Sequence, residues 1–172
     1  AVLIDAGISS KQIVDKLSQI GKTPERVKAI FLTHEHSDHI KGVEVFSKKF
    51  NVPVFATKGT LEESHFSLEK NLINPIRNNQ GVNLCGMDVE AFSKSHKSSD
   101  PVSYSISNGK KISIITDLGY ACKNVIKNMS DSECLFIESN YDDGMLMDGF
   151  YPPFLKQWIR SNEGHLSNSQ SA

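Results

Sequence analysis

Four side chains that can bind metal lie within six residues of one another, in the run His34-Glu35-His36-Ser37-Asp38-His39. An apolar stretch precedes the run, and two histidines two positions apart at the end of a strand point their imidazoles to the same side. Asp38 and His39 follow where the chain leaves the strand for a helix, so they can face a second position nearby. Imidazole with carboxylate suits zinc, manganese or iron, and the absence of cysteine argues against a purely structural zinc site.

Two polar residues downstream could complete such a site. His96 and Asp117 each close an apolar run that is predicted to be a strand. The end of a buried strand is where sheet proteins commonly present the residues of a functional site. We therefore expect six side chains to converge on one pocket: His34, His36, Asp38, His39, His96 and Asp117.

The elements that must position these residues alternate between strands and helices. Strands are predicted at Val2–Asp5, Lys28–Thr33, Val52–Ala56, Val82–Leu84, Val89–Phe92 and Cys134–Glu138. Helices are predicted from Ser9 or Ser10 to about Gly21, from about His39 to Phe50, near Ala121–Met129, and from Pro152-Pro153 through Ile159. Asn108-Gly109 between two alternating runs predicts a hairpin with a type I′ turn. Residues 58–79 are predicted to be helix and loop. The alternation favours a layered α/β architecture.

The 19 basic and 20 acidic residues give a formal net charge of -1. The net charge therefore gives no evidence of nucleic-acid binding. Any such interaction must use a local patch. The lysines are expected on a solvated face, where some could contact a phosphate backbone: Lys41, Lys48, Lys49, Lys94, Lys97, Lys110 and Lys111. No apolar run is long enough to cross a bilayer, so no membrane partner is expected.

The three cysteines, Cys85, Cys122 and Cys134, are widely spaced and form no Cys-x-x-Cys pair. This pattern argues against a disulfide framework and favours a reducing cytoplasm. The length of 172 residues is that of one domain. The chain opens inside an apolar strand without an initiator Met and stops where a helix is predicted to begin. We therefore expect residues 1–172 to be a single domain that is a fragment of a longer one.

The pattern Thr33-His34-x-His36-x-Asp38-His39, followed by His96 and Thr116-Asp117, resembles the metallo-β-lactamase superfamily. Asp5-Ala6-Gly7 is similar to that superfamily's early Asp-x-Gly turn. The finer pattern, including Gly164-His165-Leu166-Ser167, resembles the YycJ/WalJ branch, which is related to the RNase Z and RNase J nucleases. The resemblance implies an αβ/βα four-layer sandwich, incomplete at both termini here, with a two-metal site on its edge.

The same resemblance implies roles for the individual residues. His34, His36 and His96 would hold one divalent ion, Asp38 and His39 a second, and Asp117 would bridge them, the ions being Zn²⁺ or Mn²⁺. His165 has two interpretations: a catalytic residue, as in the RNase Z His-Ser-Thr segment, or the seventh metal ligand of the superfamily. Asp38 would also orient the attacking water. The acidic segment Glu138–Asp143 resembles the one that orients the late histidine in RNase Z relatives.

The activity implied is phosphodiester hydrolysis, as in a 5′→3′ exonuclease that acts on DNA through a two-metal-bound hydroxide. The alternative is a small-molecule ester or thioester hydrolase of the glyoxalase II or lactonase type, which uses the same cluster. A non-hydrolytic metal or redox module is a third interpretation. His36 disfavours it, because diiron relatives place Glu at that position. The metal identity and the oligomeric state stay open at this point.

Overall fold

The computed structural model describes all residues, 1–172. The chain divides into two compact units, each with its own sheet. Unit 1 comprises residues 1–80 and 98–102, and unit 2 comprises residues 81–97 and 103–172. The chain thus returns to unit 1 for one short segment, 98–102, between two strands of unit 2. The organisation as one domain stays a prediction.

Unit 1 is built on a parallel sheet of four short strands in the order β1-β2-β3-β4. The strands are β1 (Leu3–Ile4), β2 (Ile30–Phe31), β3 (Val54–Thr57) and β4 (Ile73–Ile76). The helices are α1 (Ser10–Gln19), α2 (Ser37–Ile40), α3 (Val43–Phe50) and α4 (Lys58–Ser64), with 3₁₀ turns at Pro24–Arg26 and Lys70–Leu72. Parallel strands need crossover connections, and the helices supply them.

The core of unit 1 lies between its sheet and the apolar faces of α1 and α3. Ser9 and Gln12 form a capping box that starts α1, which then buries Ile13 and Leu17. Val43 and Phe46 of α3 join the same cluster as the strand residues. Burial of each such side chain contributes roughly 1.5–3 kcal/mol, which holds the sheet and its loops in place.

The single helix predicted from His39 to Phe50 is wrong, because Gly42 separates α2 from α3. The Gly42 N–H donates to the carbonyl of Ala6 at 2.8 Å. A Cβ at this position would lie 2.1 Å from the carbonyl oxygen of Ile8. The close approach of the segment after β1 therefore replaces a helical hydrogen bond and divides the helix.

Unit 2 is built on a five-stranded sheet in the order β5-β6-β7-β8-β9. The strands are β5 (Gly81–Leu84), β6 (Met87–Ser93), β7 (Val102–Ser107), β8 (Lys111–Ile115) and β9 (Cys134–Ile137). The helices are α5 (Lys123–Met129), α6 (Asp143–Asp148), α7 (Pro153–Ile159) and α8 (Asn168–Ser171). The pairs β5–β6 and β7–β8 are antiparallel, whereas β8–β9 is parallel. The core gathers Phe92, Ile115, Leu118, Val125 and Leu166.

The hairpin predicted at Asn108-Gly109 is confirmed, but its turn is not type I′. Ser107 pairs with Lys111, so three residues form the connection. A type I′ turn needs positive φ at both central residues. Here Gly109 has φ 75°, whereas Asn108 does not have a positive φ. The third loop residue lets Asn108 keep an ordinary backbone conformation.

The mixed α/β architecture with two sheets is confirmed. Strand β4 and helix α6 lie in stretches where no such element was predicted. No helix combines the length and apolar character needed to cross a bilayer. All three cysteines are free thiols.

Candidate metal centre

Three imidazoles of unit 1 lie against one another at the end of β2. His34 follows the strand, His36 is the N-cap residue of α2, and His39 lies in that helix. His34 Nε2 is 2.9 Å from His36 Nδ1. The ring centroids of His34 and His39 are 4.1 Å apart. A strand end followed by one helical turn therefore brings together the histidines of the predicted motif.

Asp5 and Thr33 orient these imidazoles from behind. His39 Nδ1 lies 2.7 Å from Asp5 Oδ2, which also accepts a hydrogen bond from the Thr33 hydroxyl at 2.8 Å. His34 Nδ1 lies 2.8 Å from the same hydroxyl oxygen. The hydrogen-bond network therefore assigns the Nδ1–H tautomer to His34 and His39, in which the lone pair that could bind a metal is on Nε2.

Asp38 stands at the exposed edge of this group. Its side chain is 81% exposed, and its carboxylate is 3.7 Å from His39 Nε2. An exposed carboxylate beside a ligand nitrogen can bind an ion without first losing a buried partner. We call Asp5, Thr33, His34, His36, Asp38 and His39 the unit 1 cluster.

In unit 2, His96 follows β6 and is buried. His96 Nδ1 donates to the carbonyl of Gly164 at 3.1 Å. Burial is the main reason that the pKa of His96 falls to about 4, so this imidazole is neutral at pH 7. A neutral imidazole with Nδ1 engaged presents Nε2 as a ligand, which is the form that metals bind.

Asp117 sits in a turn after β8 that is held at three points. Its backbone is left-handed, with φ 48°. The Lys94 ammonium donates to the carbonyl of Thr116 at 2.5 Å. The Leu118 N–H donates to Glu138, and the Gly119 N–H donates to the carbonyl of Ser95. The expectation that Lys94 lies on a solvated face is wrong, because this side chain is buried beneath the turn.

His165 lies beside Asp117 and is paired with Glu138. His165 Nδ1 is 2.9 Å from Glu138 Oε2 and 3.4 Å from Asp117 Oδ1. The hydrogen bond to Glu138 is the main cause that raises the pKa of His165. Glu138 Oε1 also accepts the Leu166 N–H at 2.9 Å, so one carboxylate orients the imidazole and its backbone. Trp158 contacts the His165 ring edge-on, with centroids 5.7 Å apart.

These contacts bring the predicted residues together within each unit. We call Lys94, His96, Asp117, Glu138 and His165 the unit 2 cluster. One ligand atom from each of Asp117, Glu138 and His165 lies within 4.8 Å of the others. The resemblance implied that the acidic segment Glu138–Asp143 orients the late histidine, and Glu138 is the residue of that segment that contacts His165. The convergence of both clusters on one pocket stays a prediction.

Residues 1–172 match the family model described as "Beta-lactamase superfamily domain", and the chain belongs to this family. Two curated relatives match over 99% of the chain: exodeoxyribonuclease WalJ of Streptococcus pneumoniae at 33% identity and exodeoxyribonuclease YycJ of Bacillus anthracis at 34%. The chain spans 66% of the length of each of these relatives.

A solved structure shows the same fold at lower identity. The Zn²⁺-bound PqqB of Methylobacterium extorquens has a TM-score of 0.75 and 17% identity, over 96% of this chain and 64% of that one. The metallo-β-lactamase type of fold expected from the sequence is thus confirmed. This fold implies binding of a divalent metal by His and Asp side chains, and both clusters contain such residues.

Proposed function

We propose that the protein is a two-metal phosphodiesterase, a 5′→3′ exonuclease that acts on DNA. The observation that carries this proposal is the match over 99% of the chain to two exodeoxyribonucleases. The donor chemistry of the clusters supports it, because imidazoles whose Nδ1 atoms are engaged by other groups lie in the same clusters as carboxylates. Such a set suits Zn²⁺ or Mn²⁺.

In this proposal His34, His36 and His96 would hold one ion, Asp38 and His39 would hold the other, and Asp117 would be shared by both. When bound, such ions lower the pKa of a coordinated water and offset charge on the phosphoryl oxygens. The exposed carboxylate of Asp38 is suited to accept a hydrogen bond from the attacking water. Asp5 and Thr33 keep the ligand imidazoles in one tautomer during the reaction.

His165 is proposed as the group that gives a proton to the leaving oxygen. Its Nδ1 is held by Glu138, which leaves Nε2 to face a substrate. A carboxylate behind an imidazole fixes the tautomer and stabilises the protonated ring. The leaving alkoxide of a phosphodiester needs such a proton, whereas the thiolate of a thioester is a much better leaving group. The His165–Glu138 pair therefore favours nucleic acid over the thioester alternative.

The test is a substrate panel with the purified protein after its bound metal has been measured. The panel holds 5′-labelled and 3′-labelled DNA, the matching RNA, and a glutathione thioester. We expect Zn²⁺ or Mn²⁺ at about two ions per chain and stepwise release of nucleotides from the 5′ end of DNA. Hydrolysis of the thioester with intact DNA would contradict the proposal, as would preference for RNA. A cytoplasmic location is part of the proposal and rests on the cysteine pattern.

A further inference from the structure

Glu35 occupies the middle position of the His-x-His tripeptide and makes contacts that its neighbours do not share. The rings of His34 and His36 meet edge to face, with centroids 4.4 Å apart. Glu35 Oε1 instead accepts the backbone N–H of Ser99 at 2.7 Å. Glu35 Oε2 is 3.5 Å from the hydroxyl of Thr60. The side chain between the two imidazoles is therefore fastened at its far end.

The partner of Glu35 belongs to the Ser98–Val102 segment, which unit 1 also holds at other points. The Thr57 hydroxyl donates to the carbonyl of Asp100 at 2.8 Å. The Val102 N–H donates to the carbonyl of Thr33 at 2.9 Å. The segment also packs closely on α4, because a Cβ on Gly59 would lie 2.6 Å from the Ser99 hydroxyl oxygen. Glu35 is the anchor whose side chain comes from between the two histidines of the tripeptide.

We propose that Glu35 is a positioning residue for the metal site, and that its carboxylate fastens the His34–His36 loop to the Ser98–Val102 segment. The contact limits rotation of the tripeptide, so both imidazoles stay directed to one side. This inference rests on the proposed metal-binding role of His34 and His36.

Two substitutions separate the reach of the side chain from its charge. Glu35→Gln keeps an oxygen that can accept the Ser99 N–H but removes the charge. Glu35→Asp keeps the charge but shortens the side chain by one methylene. Glu62→Asp on α4 is the matched control, since its carboxylate is exposed and contacts only Lys58, at 3.4 Å.

The first measurement is Zn²⁺ affinity, by competition with a chromophoric chelator, together with bound Zn²⁺ per chain. Loss of a residue that orients metal ligands typically lowers metal affinity about 10–100-fold. We expect a loss of about tenfold or more for Glu35→Asp, and Glu35→Gln and Glu62→Asp within about threefold of wild type. A loss in Glu35→Gln with Glu35→Asp near wild type would overturn the proposal, because the charge and not the reach of the side chain would then explain the effect.

The second measurement is amide hydrogen exchange of Ser99 in the metal-free protein. We expect faster exchange in Glu35→Asp and near-wild-type exchange in Glu35→Gln. Faster exchange in Glu35→Asp with unchanged Zn²⁺ affinity would reduce the contact to a structural one and overturn the positioning role. Neither measurement uses nuclease activity. A wild-type protein that binds Zn²⁺ but degrades no DNA would therefore refute the proposed function. The positioning role of Glu35 would still be tested by the Zn²⁺ affinities and the Ser99 exchange rates.

Discussion

The unit 1 cluster and the unit 2 cluster are assembled in different ways. In unit 1, the proposed ligand residues lie within six positions on one strand end and one short helix. In unit 2, His96, Asp117 and His165 follow three different elements, β6, β8 and α7. The histidines of unit 1 are brought together by local backbone geometry and oriented by one distant residue, Asp5, whereas the unit 2 cluster forms only when the five-stranded sheet pairs correctly. The alignment of the unit 2 groups therefore depends more strongly on the fold than that of the unit 1 histidines.

Each cluster also contains a carboxylate that holds one imidazole by its Nδ1 atom. Asp5 is 2.7 Å from His39, and Glu138 is 2.9 Å from His165. The proposed roles of the two imidazoles differ, since His39 would bind metal and His165 would transfer a proton. Breaking the two pairs should therefore produce different defects, and this expectation can be tested variant by variant.

The largest effect is expected for Asp38→Ala in unit 1. The exposed side chain contributes little packing, so the fold should persist, as far-UV circular dichroism can check. Its loss removes a proposed ligand of the second ion and the group that orients water. We expect DNA hydrolysis to fall about 10³-fold or more, equivalent to about 4 kcal/mol of transition-state stabilisation. Asp15→Ala, an exposed acidic residue on α1, serves as the control, and wild-type turnover in Asp38→Ala would remove Asp38 from the site.

The next effect is expected for His165→Ala in unit 2. A positioned acid contributes about 10²–10⁴-fold to rate, so we expect turnover to fall about 10²–10³-fold while bound metal stays near wild type. If His165 is instead the seventh ligand, one ion per chain will be lost as well. Metal analysis by mass spectrometry beside an exonuclease assay separates the two roles. His65→Asn is the control, since His65 is exposed and Asn suits its left-handed backbone.

The sequence was informative about the unit 1 cluster because its proposed ligands are close in the chain. The spacing of His34, His36 and His39 already places them on one strand end and helix start. Glu138 shows the opposite case. Its hydrogen bonds reach Leu118, His165 and Leu166, between 20 and 28 positions away, so residue spacing does not reveal its role, which only the family resemblance of its segment indicated.

Other differences from the predicted fold also come from long-range contacts. Gly42 divides a helix because the segment after β1 approaches it, which helix periodicity does not encode. Strand β4 contains Pro75 and is short, so its pattern resembles a loop, and pairing with β3 is what makes it a strand. Lys94 is buried by tertiary packing although lysine is usually exposed.

Glu138→Gln tests the pair in unit 2. The amide oxygen can still accept the N–H groups of Leu118 and Leu166, but the NH₂ group would meet His165 Nδ1. The imidazole would then carry its proton on Nε2, and stabilisation of the protonated ring would be lost. We expect turnover to fall about 10²-fold with metal content unchanged. Loss of metal in this variant would instead make Glu138 part of the metal-binding shell and weaken the contrast between the clusters.

Asp5→Asn tests the pair in unit 1 by the same change of chemistry. Asp5 has φ 59°, a conformation that Asn accepts well, so the turn should survive. The amide NH₂ would face His39 Nδ1, and the ring would then carry its proton on Nε2, the proposed ligand atom. We expect Zn²⁺ affinity to fall about 10–100-fold, with turnover recovering at high metal concentration. If turnover stayed low at saturating Zn²⁺, Asp5 would affect catalysis as Glu138 does, and the two carboxylates would not have separate roles.

The smallest effect is expected for Glu44→Gln on α3, which tests whether the unit 1 cluster depends on surface contacts of its unit. The hydrogen bond with Lys48, and secondly that from the Ser67 N–H, lower the pKa of Glu44 below its ordinary 4.5. A lowered pKa means that the stabilisation is present above pH 4.5 and disappears as the pH falls through the pKa of the folded state. Because both side chains of the Glu44–Lys48 pair are exposed, we expect Glu44→Gln to lose at most about 1 kcal/mol of unfolding free energy at pH 7. Urea unfolding should show the difference from wild type shrinking as the pH falls below 4.5 and Glu44 becomes protonated in the folded state.

The second measurement on Glu44→Gln is Zn²⁺ affinity, which should stay at the wild-type value. A loss comparable to that of Asp5→Asn would show that Zn²⁺ binding by the His34–His39 segment depends on the overall stability of unit 1.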